Sequence, residues 1–125
     1  MFGYELDSFG NGCAVMSMGV RSKHIQIHGV VHGGILASLA DTAGAMAAYP
    51  MLPKGTRLAT VEMKINYLEP VDRGPIYAES KVLRLGRTLV TSECEIIDAD
   101  GNLAAKALMT FAIIRASAKR RSSAR

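Results

Sequence analysis

Residues 28–49, HGVVHGGILASLADTAGAMAAY, read as a helix with one charged side chain, Asp41, between Gly33 and Tyr49. A surface helix shows Lys, Glu or Arg along its solvent face, and a lone carboxylate in an apolar helix is costly unless it is used. Leu36, Leu39, Ala40, Ala43, Met46 and Ala47 recur at three- and four-residue spacing, which predicts the face turned to a core. Gly34, Ala37, Ser38, Asp41, Ala45 and Ala48 fall on the opposite side. That side is nearly all small residues, so a second backbone or a ligand can come very close. Pro50 and Pro53 end the helix.

The segments around this helix read as strands. Cys13–Arg21 before it is extended, with Val15 and Val20 favouring that state, and the first dozen residues carry no firm pattern. Lys23–Gly29 is a polar connection. After the helix, Thr60, Glu62, Lys64 and Asn66 alternate with Val61, Met63, Ile65 and Tyr67, a period of two across Leu58–Tyr67. Residues 70–75 (PVDRGP) read as a turn, and Ile76–Leu85 and Thr88–Ile97 as strands joined tightly at Gly86-Arg87. DADGN at 98–102 makes a further hairpin, leading into a last apolar strand over Leu103–Arg115. One strand, a long helix, then four strands with short links predict an α+β fold in which an antiparallel meander carries the helix along it. With the Leu/Met stripe on the sheet, the Asp41 side has little that is polar to offer water. A second copy docking about a two-fold axis is the simplest cover for it.

Composition narrows the class. A chain of 125 residues with 49% apolar content suits one packed domain, residues 1–115. No run is apolar enough to span a bilayer and no signal-like start is present, so no membrane partner is expected; the low cysteine content points to a reducing, cytoplasmic setting. Cys13 and Cys94 are too few for a disulfide scaffold, and both are expected in strands as small buried hydrophobes. The net charge of +4 invites a nucleic-acid reading, but Arg115, Lys119, Arg120, Arg121 and Arg125 crowd the last eleven residues. The remainder holds ten basic against eleven acidic residues. Residues 116–125 therefore read as a basic, disordered tail, and no nucleic-acid partner is expected.

The pair HGVVHGGILASLADTAGAMAA and LATVEMKINYLEP resembles the hot-dog-fold acyl-CoA thioesterases, of the phenylacetic-acid-degradation type within the 4-hydroxybenzoyl-CoA thioesterase group. The resemblance runs over residues 12–115, and its most specific element is His32-Gly33-Gly34 with Asp41 nine residues after the histidine. It implies a sheet of five to six strands wrapped around one helix, an acyl-CoA substrate, and a homodimer or homotetramer. Position by position, Gly33 matches the glycine whose N–H polarises the thioester carbonyl, with Gly34 beside it against the substrate. Asp41 matches the catalytic carboxylate. Gln26 stands where relatives carry Asn or Gln, and Thr60 where some carry a Ser or Thr at the reaction centre or its water.

Those residue types suit the chemistry. Thioester hydrolysis needs a nucleophile, or a base to make water one, and donors aimed at the developing oxyanion. A helix N-terminus offers unpaired N–H groups and partial positive charge, and a glycine there lets a carbonyl approach. The thiolate leaves readily, so no strong general acid and no cofactor is required; coenzyme A is part of the substrate. Three histidines within nine residues, without a nearby carboxylate or cysteine, do not predict a metal site. Gly33 and Asp41, eight residues apart on one helix, lie about 12 Å from each other. One carbonyl carbon cannot be about 3 Å from both. Two antiparallel helices, Gly33 of one chain facing Asp41 of another, satisfy both contacts.

Other readings stay open. Asp41 can be a structural carboxylate, and His32 reads as a residue fixing the loop into the helix as readily as an acid or base. Thr60 is an ordinary strand residue. Arg84 and Arg87, flanking a turn, can pair with coenzyme A phosphates or simply face solvent. The same fold hosts hydratases and dehydratases of acyl thioesters, and a non-catalytic acyl-CoA-binding protein is a further alternative.

Overall fold

The computed structural model describes residues 3–21, 24 and 29–115. Six strands, β1 (Tyr4–Gly10), β2 (Cys13–Met18), β3 (Arg57–Tyr67), β4 (Ile76–Leu85), β5 (Leu89–Ile97) and β6 (Leu103–Ile114), form one antiparallel sheet. Among the described residues a single α-helix, α1 (Gly33–Ala48), lies between β2 and β3 in the chain and continues into a short 3-10 turn, Tyr49–Met51. This is the hot-dog arrangement. Among the described residues no helix is long and apolar enough to cross a membrane. Gln26 and residues 116–125 lie outside the described residues, as does most of the Lys23–Gly29 connection.

The sheet order is β1-β2-β4-β5-β6-β3. Only β4, β5 and β6 follow the expected meander; β3 pairs with β6 at the far edge instead of with β4. Residues 68–75 are therefore a crossing connection and not a local turn. They pass from the outer edge to β4, three strand spacings or about 14 Å away, which eight extended residues span with ease. The crossing is pinned as it leaves β3, where the N–H groups of Leu68 and Glu69 both donate to the Ala104 carbonyl. The N–H of Val31 donates to the Val71 carbonyl at 2.6 Å, which ties the crossing to the approach to α1. The first dozen residues, unpatterned in sequence, supply the other edge, β1.

The core lies between α1 and the concave face of the sheet. Leu36, Leu39, Ala40, Ala43 and Ala47 are buried as their spacing predicts. Leu36, Leu39, Ala40 and Ala43 pack among Met16, Met18, Ile76, Ala78, Cys94, Ile96, Met109 and Phe111. Two helix positions depart from the expected faces. Met46 is only half-buried, and Ala48, assigned to the open side, is fully buried. At that end β3 begins against the helix terminus, the Leu58 N–H donating to Tyr49 Oη at 3.1 Å.

Small residues let α1 sink deeply. A Cβ on Gly44 would stand 2.5 Å from Met109 Cε and 3.3 Å from Phe111 Cζ. Two buried hydroxyls then reach the helix backbone, Ser80 Oγ donating to the Ala43 carbonyl at 2.6 Å and Ser92 Oγ to the Gly44 carbonyl at 3.1 Å. The cysteines divide. Cys94 is buried, and burial pushes its thiol up to about 12. Cys13 is exposed, contrary to the sequence expectation. The cause is strand phase: β2 turns Ala14, Met16 and Met18 inward, which leaves Cys13 on the outer face.

Candidate active site

The helix N-terminus is built by backbone bonds. His32 is the N-cap, with non-helical backbone angles (φ −58°, ψ 135°) and without a side-chain cap. Its N–H donates to the His24 carbonyl at 3.0 Å, and its carbonyl accepts from the N–H groups of Ile35 and Leu36. The backbone of His32 thus joins loop to helix while its side chain is exposed. Gly33 and Gly34 occupy the first helical turn, where N–H groups have no intrahelical acceptor, and neither finds another acceptor among the described residues. Their surroundings differ. Over Gly33 lies the ring of Tyr67, 3.1–3.3 Å from where a Cβ would be, and Tyr67 Oη donates to the Gly33 carbonyl at 2.8 Å. Beside Gly34 nothing lies within 4 Å of that position.

Two turns further on, Asp41 stands half-buried on the same helix. Thr60 Oγ1 donates to Asp41 Oδ1 at 2.7 Å. Strict alternation along β3 would place Thr60 outward with Glu62, Lys64 and Asn66. A β-bulge prevents it: Thr60 pairs with Phe111 and Glu62 with Thr110, leaving Val61 as an extra residue. Cross-strand partners share a face, and Phe111 is buried, so the bulge turns Thr60 inward to the helix. It also puts Thr60 on the side of Met63, Ile65 and Tyr67, whose partners Met109, Ala107 and Ala105 are all buried. Val61 is left 57% exposed.

From the opposite edge of the sheet, Tyr4 approaches the same helix face. Its hydroxyl lies 3.4 Å from the Ile35 carbonyl. Burial raises the Tyr4 phenol above its ordinary value; a hydrogen bond with Ser38 partly offsets this, and the nearby Asp41 charge adds to the rise. Both edges of the sheet therefore reach around α1 and place hydroxyls along its outward side.

The structure brings Asp41 and Thr60 together, and Gly33 and Gly34 are adjacent at the helix start. Within one chain it keeps these two groups apart, because Gly33 and Asp41 share one α-helix at the spacing of about 12 Å. Arg84 and Arg87 are exposed at the β4–β5 hairpin and make no ion pair among the described residues. The Arg87 carbonyl accepts from Arg115 Nη2 at 2.9 Å. Sequence reasoning did not single out Tyr4, Ser38 or Tyr67. Ser38 had a signal, since it precedes Asp41 by three residues and so shares its helix face. The tyrosines had none, because their roles depend on which strands form the edges.

Comparison with known proteins adds an independent line. The sequence profile of the Thioesterase superfamily matches residues 28–105. A provisionally named esterase of Saccharolobus solfataricus is 41% identical over 104 residues, covering 83% of this chain and 74% of that protein. A crystal structure of a Haemophilus influenzae thioesterase superposes with a TM-score of 0.86 at 28% identity, covering 91% of this chain and 80% of the other. A mutant of the phenylacetic acid degradation protein PaaI from Thermus thermophilus gives a TM-score of 0.81, also at 28% identity, over 92% and 95% of the two chains.

Proposed function

Because the chain belongs to the thioesterase superfamily, we propose that it hydrolyses an aromatic or medium-chain acyl-CoA to the free acid and coenzyme A. The likeness to the phenylacetic acid degradation protein supports placing it with that type of hot-dog enzyme. The observation that carries the reading is the bond from Thr60 to Asp41, the single charged side chain of α1. A hydroxyl donor occupies Oδ1 and leaves Oδ2 without a partner among the described residues. That oxygen is the one available to attack the thioester carbonyl or to take a proton from attacking water.

The oxyanion formed in either route is held by the Gly33 N–H, in the positive field of the helix N-terminus. Gly34 contacts the substrate beside it. The carbon–sulfur bond breaks as the tetrahedral intermediate collapses, and coenzyme A leaves as a thiolate; where Asp41 attacks directly, water then cleaves the Asp41–acyl anhydride to release the acid and restore the carboxylate. No cofactor enters the reaction. The separation of Gly33 from Asp41 requires the carboxylate of a second copy, so the active unit is a homodimer at minimum, and a homotetramer in our reading. Gln26 and His32 orient the carbonyl or its water, and Arg84 and Arg87 receive coenzyme A phosphates. The setting is cytoplasmic.

Asp41→Asn tests the centre of this proposal. It is nearly isosteric and should leave fold and oligomer intact while lowering kcat for thiol release by at least about a hundredfold. A folded Asp41→Asn protein that hydrolyses acyl-CoA at the wild-type rate would remove Asp41 from the chemistry. An enoyl-CoA hydration assay run beside it separates hydrolysis from the hydratase alternative.

A further inference from the structure

Tyr67 stands where two features meet. At the start of α1 a cavity of about 290 Å³ opens beside Gly33, lined by Val31, Leu36, Leu68 and Val71 together with Tyr67 and Gly33. Apart from Glu69 its side chains are apolar, which suits an acyl group better than the amide-bearing arm of coenzyme A. Tyr67 closes one side, its ring against Gly33 and its hydroxyl on the Gly33 carbonyl at 2.8 Å.

That hydroxyl bond matters for selectivity. An aromatic side chain that is 50% exposed at the end of an edge strand would ordinarily swing among rotamers. Tethered at its tip to the helix backbone, Tyr67 is a fixed wall, placed beside the N–H that would hold the oxyanion. The Gly33 carbonyl it grips belongs to the same peptide group as the Gly34 N–H, so the bond also orients the second donor of the helix start.

We propose that Tyr67 is the residue that limits the size of the acyl group, its ring forming the wall of the acyl cavity next to Gly33. The inference rests on the thioesterase reading for its ligand, an acyl thioester. It differs from that reading in what it requires: a cut-off in acyl size that moves when the ring is removed.

The experiment uses non-hydrolysable S-alkyl-CoA thioethers of increasing chain length, with affinity measured by calorimetry, beside kcat/KM for the matching acyl-CoA thioesters. Wild-type protein should show a length beyond which affinity falls. Tyr67→Ala should move that break to longer chains and raise the long-to-short ratio of kcat/KM by about tenfold or more, the scale set by added room in an apolar pocket. Tyr67→Phe keeps the ring but loses its tether to the Gly33 carbonyl, so it should move the break by clearly less than Tyr67→Ala does. Should Tyr67→Ala not fold, Tyr67→Leu removes the ring while keeping an apolar side chain, and carries the same expectation. A cut-off unmoved in Tyr67→Ala or Tyr67→Leu overturns the proposal, and so does a shift in Tyr67→Phe as large as that in Tyr67→Ala. Absence of turnover with a normal thioether cut-off that moves in Tyr67→Ala would instead count against the thioesterase reading and leave the Tyr67 wall standing.

Discussion

The two faces of α1 are held by different chemistry. The inner face is a packing problem: Leu39, Ala40, Ala43 and Ala47 are fully buried, and Gly44 is a glycine because Met109, Phe111 and Ser92 fill the space around it. Its two side-chain hydrogen bonds, from Ser80 and Ser92, hold the helix down without exposing a charge. The outer face uses small residues differently. Its residues are small with room to spare beside Gly34, its one charge is bonded to Thr60, and its hydroxyl groups come from opposite edges of the sheet. Small residues thus serve two purposes on one helix. Inside, they let the helix sink into the sheet; outside, they keep a polar strip accessible.

Stability and activity should therefore respond to opposite faces, and substitutions can break that separation. The largest effect after loss of the Asp41 carboxylate belongs to the inner face. Gly44→Val forces a branched side chain toward Met109 and Phe111 and should cost about 1–3 kcal/mol by overpacking, read as a lower urea midpoint. Gly34→Ala, with open space at its Cβ, should stay within about 0.5 kcal/mol of wild type in the same titration. Equal midpoints for the two variants would show that the faces are not as different as the packing says.

Thr60→Val is the complementary change. Valine keeps the branched shape that suits a strand and removes only the hydroxyl that faces Asp41. The bond is exposed, so its loss should leave the unfolding midpoint nearly unchanged, while kcat should fall by roughly tenfold or more because Asp41 is no longer held in position. Unchanged turnover would mean that Asp41 is oriented by something other than Thr60. Smallest are the effects expected away from both faces. Arg84→Ala or Arg87→Ala should raise KM for acyl-CoA by roughly two- to fivefold, the scale of one exposed ion pair, and leave kcat alone. Wild-type KM in both would place the coenzyme A phosphates elsewhere.

The contrast between Thr60 and Asp41 shows how far the sequence reached. Asp41 stood out because nothing else between Gly33 and Tyr49 is charged, and its position on the outward face follows from the 3.6-residue period of α1, which holds there apart from Met46 and Ala48. Thr60 was visible as a residue, but its direction was not. By the alternation of its own strand it belonged with Glu62 and Lys64 on the outer face, and a single extra residue at Val61 reversed it. A bulge is a feature of a strand pair, set by hydrogen bonds to β6, so no pattern within β3 reports it.

Local periodicity by itself determined the helix, the spans of β4, β5 and β6 to within a residue or so, the DADGN hairpin, and the buried set Leu36, Leu39, Ala40, Ala43 and Ala47. It did so because the face a side chain takes depends on the period of its own element. Tertiary structure alone decided the rest: that β3 leaves the meander to pair with β6, and that Tyr4–Gly10 forms the opposite edge. It also decided that Thr60 meets Asp41 and that Tyr67 lies over Gly33. Each of these depends on which backbone groups far apart in the chain exchange hydrogen bonds. A 125-residue sequence records that choice only through the sum of its contacts, not through any one stretch of it.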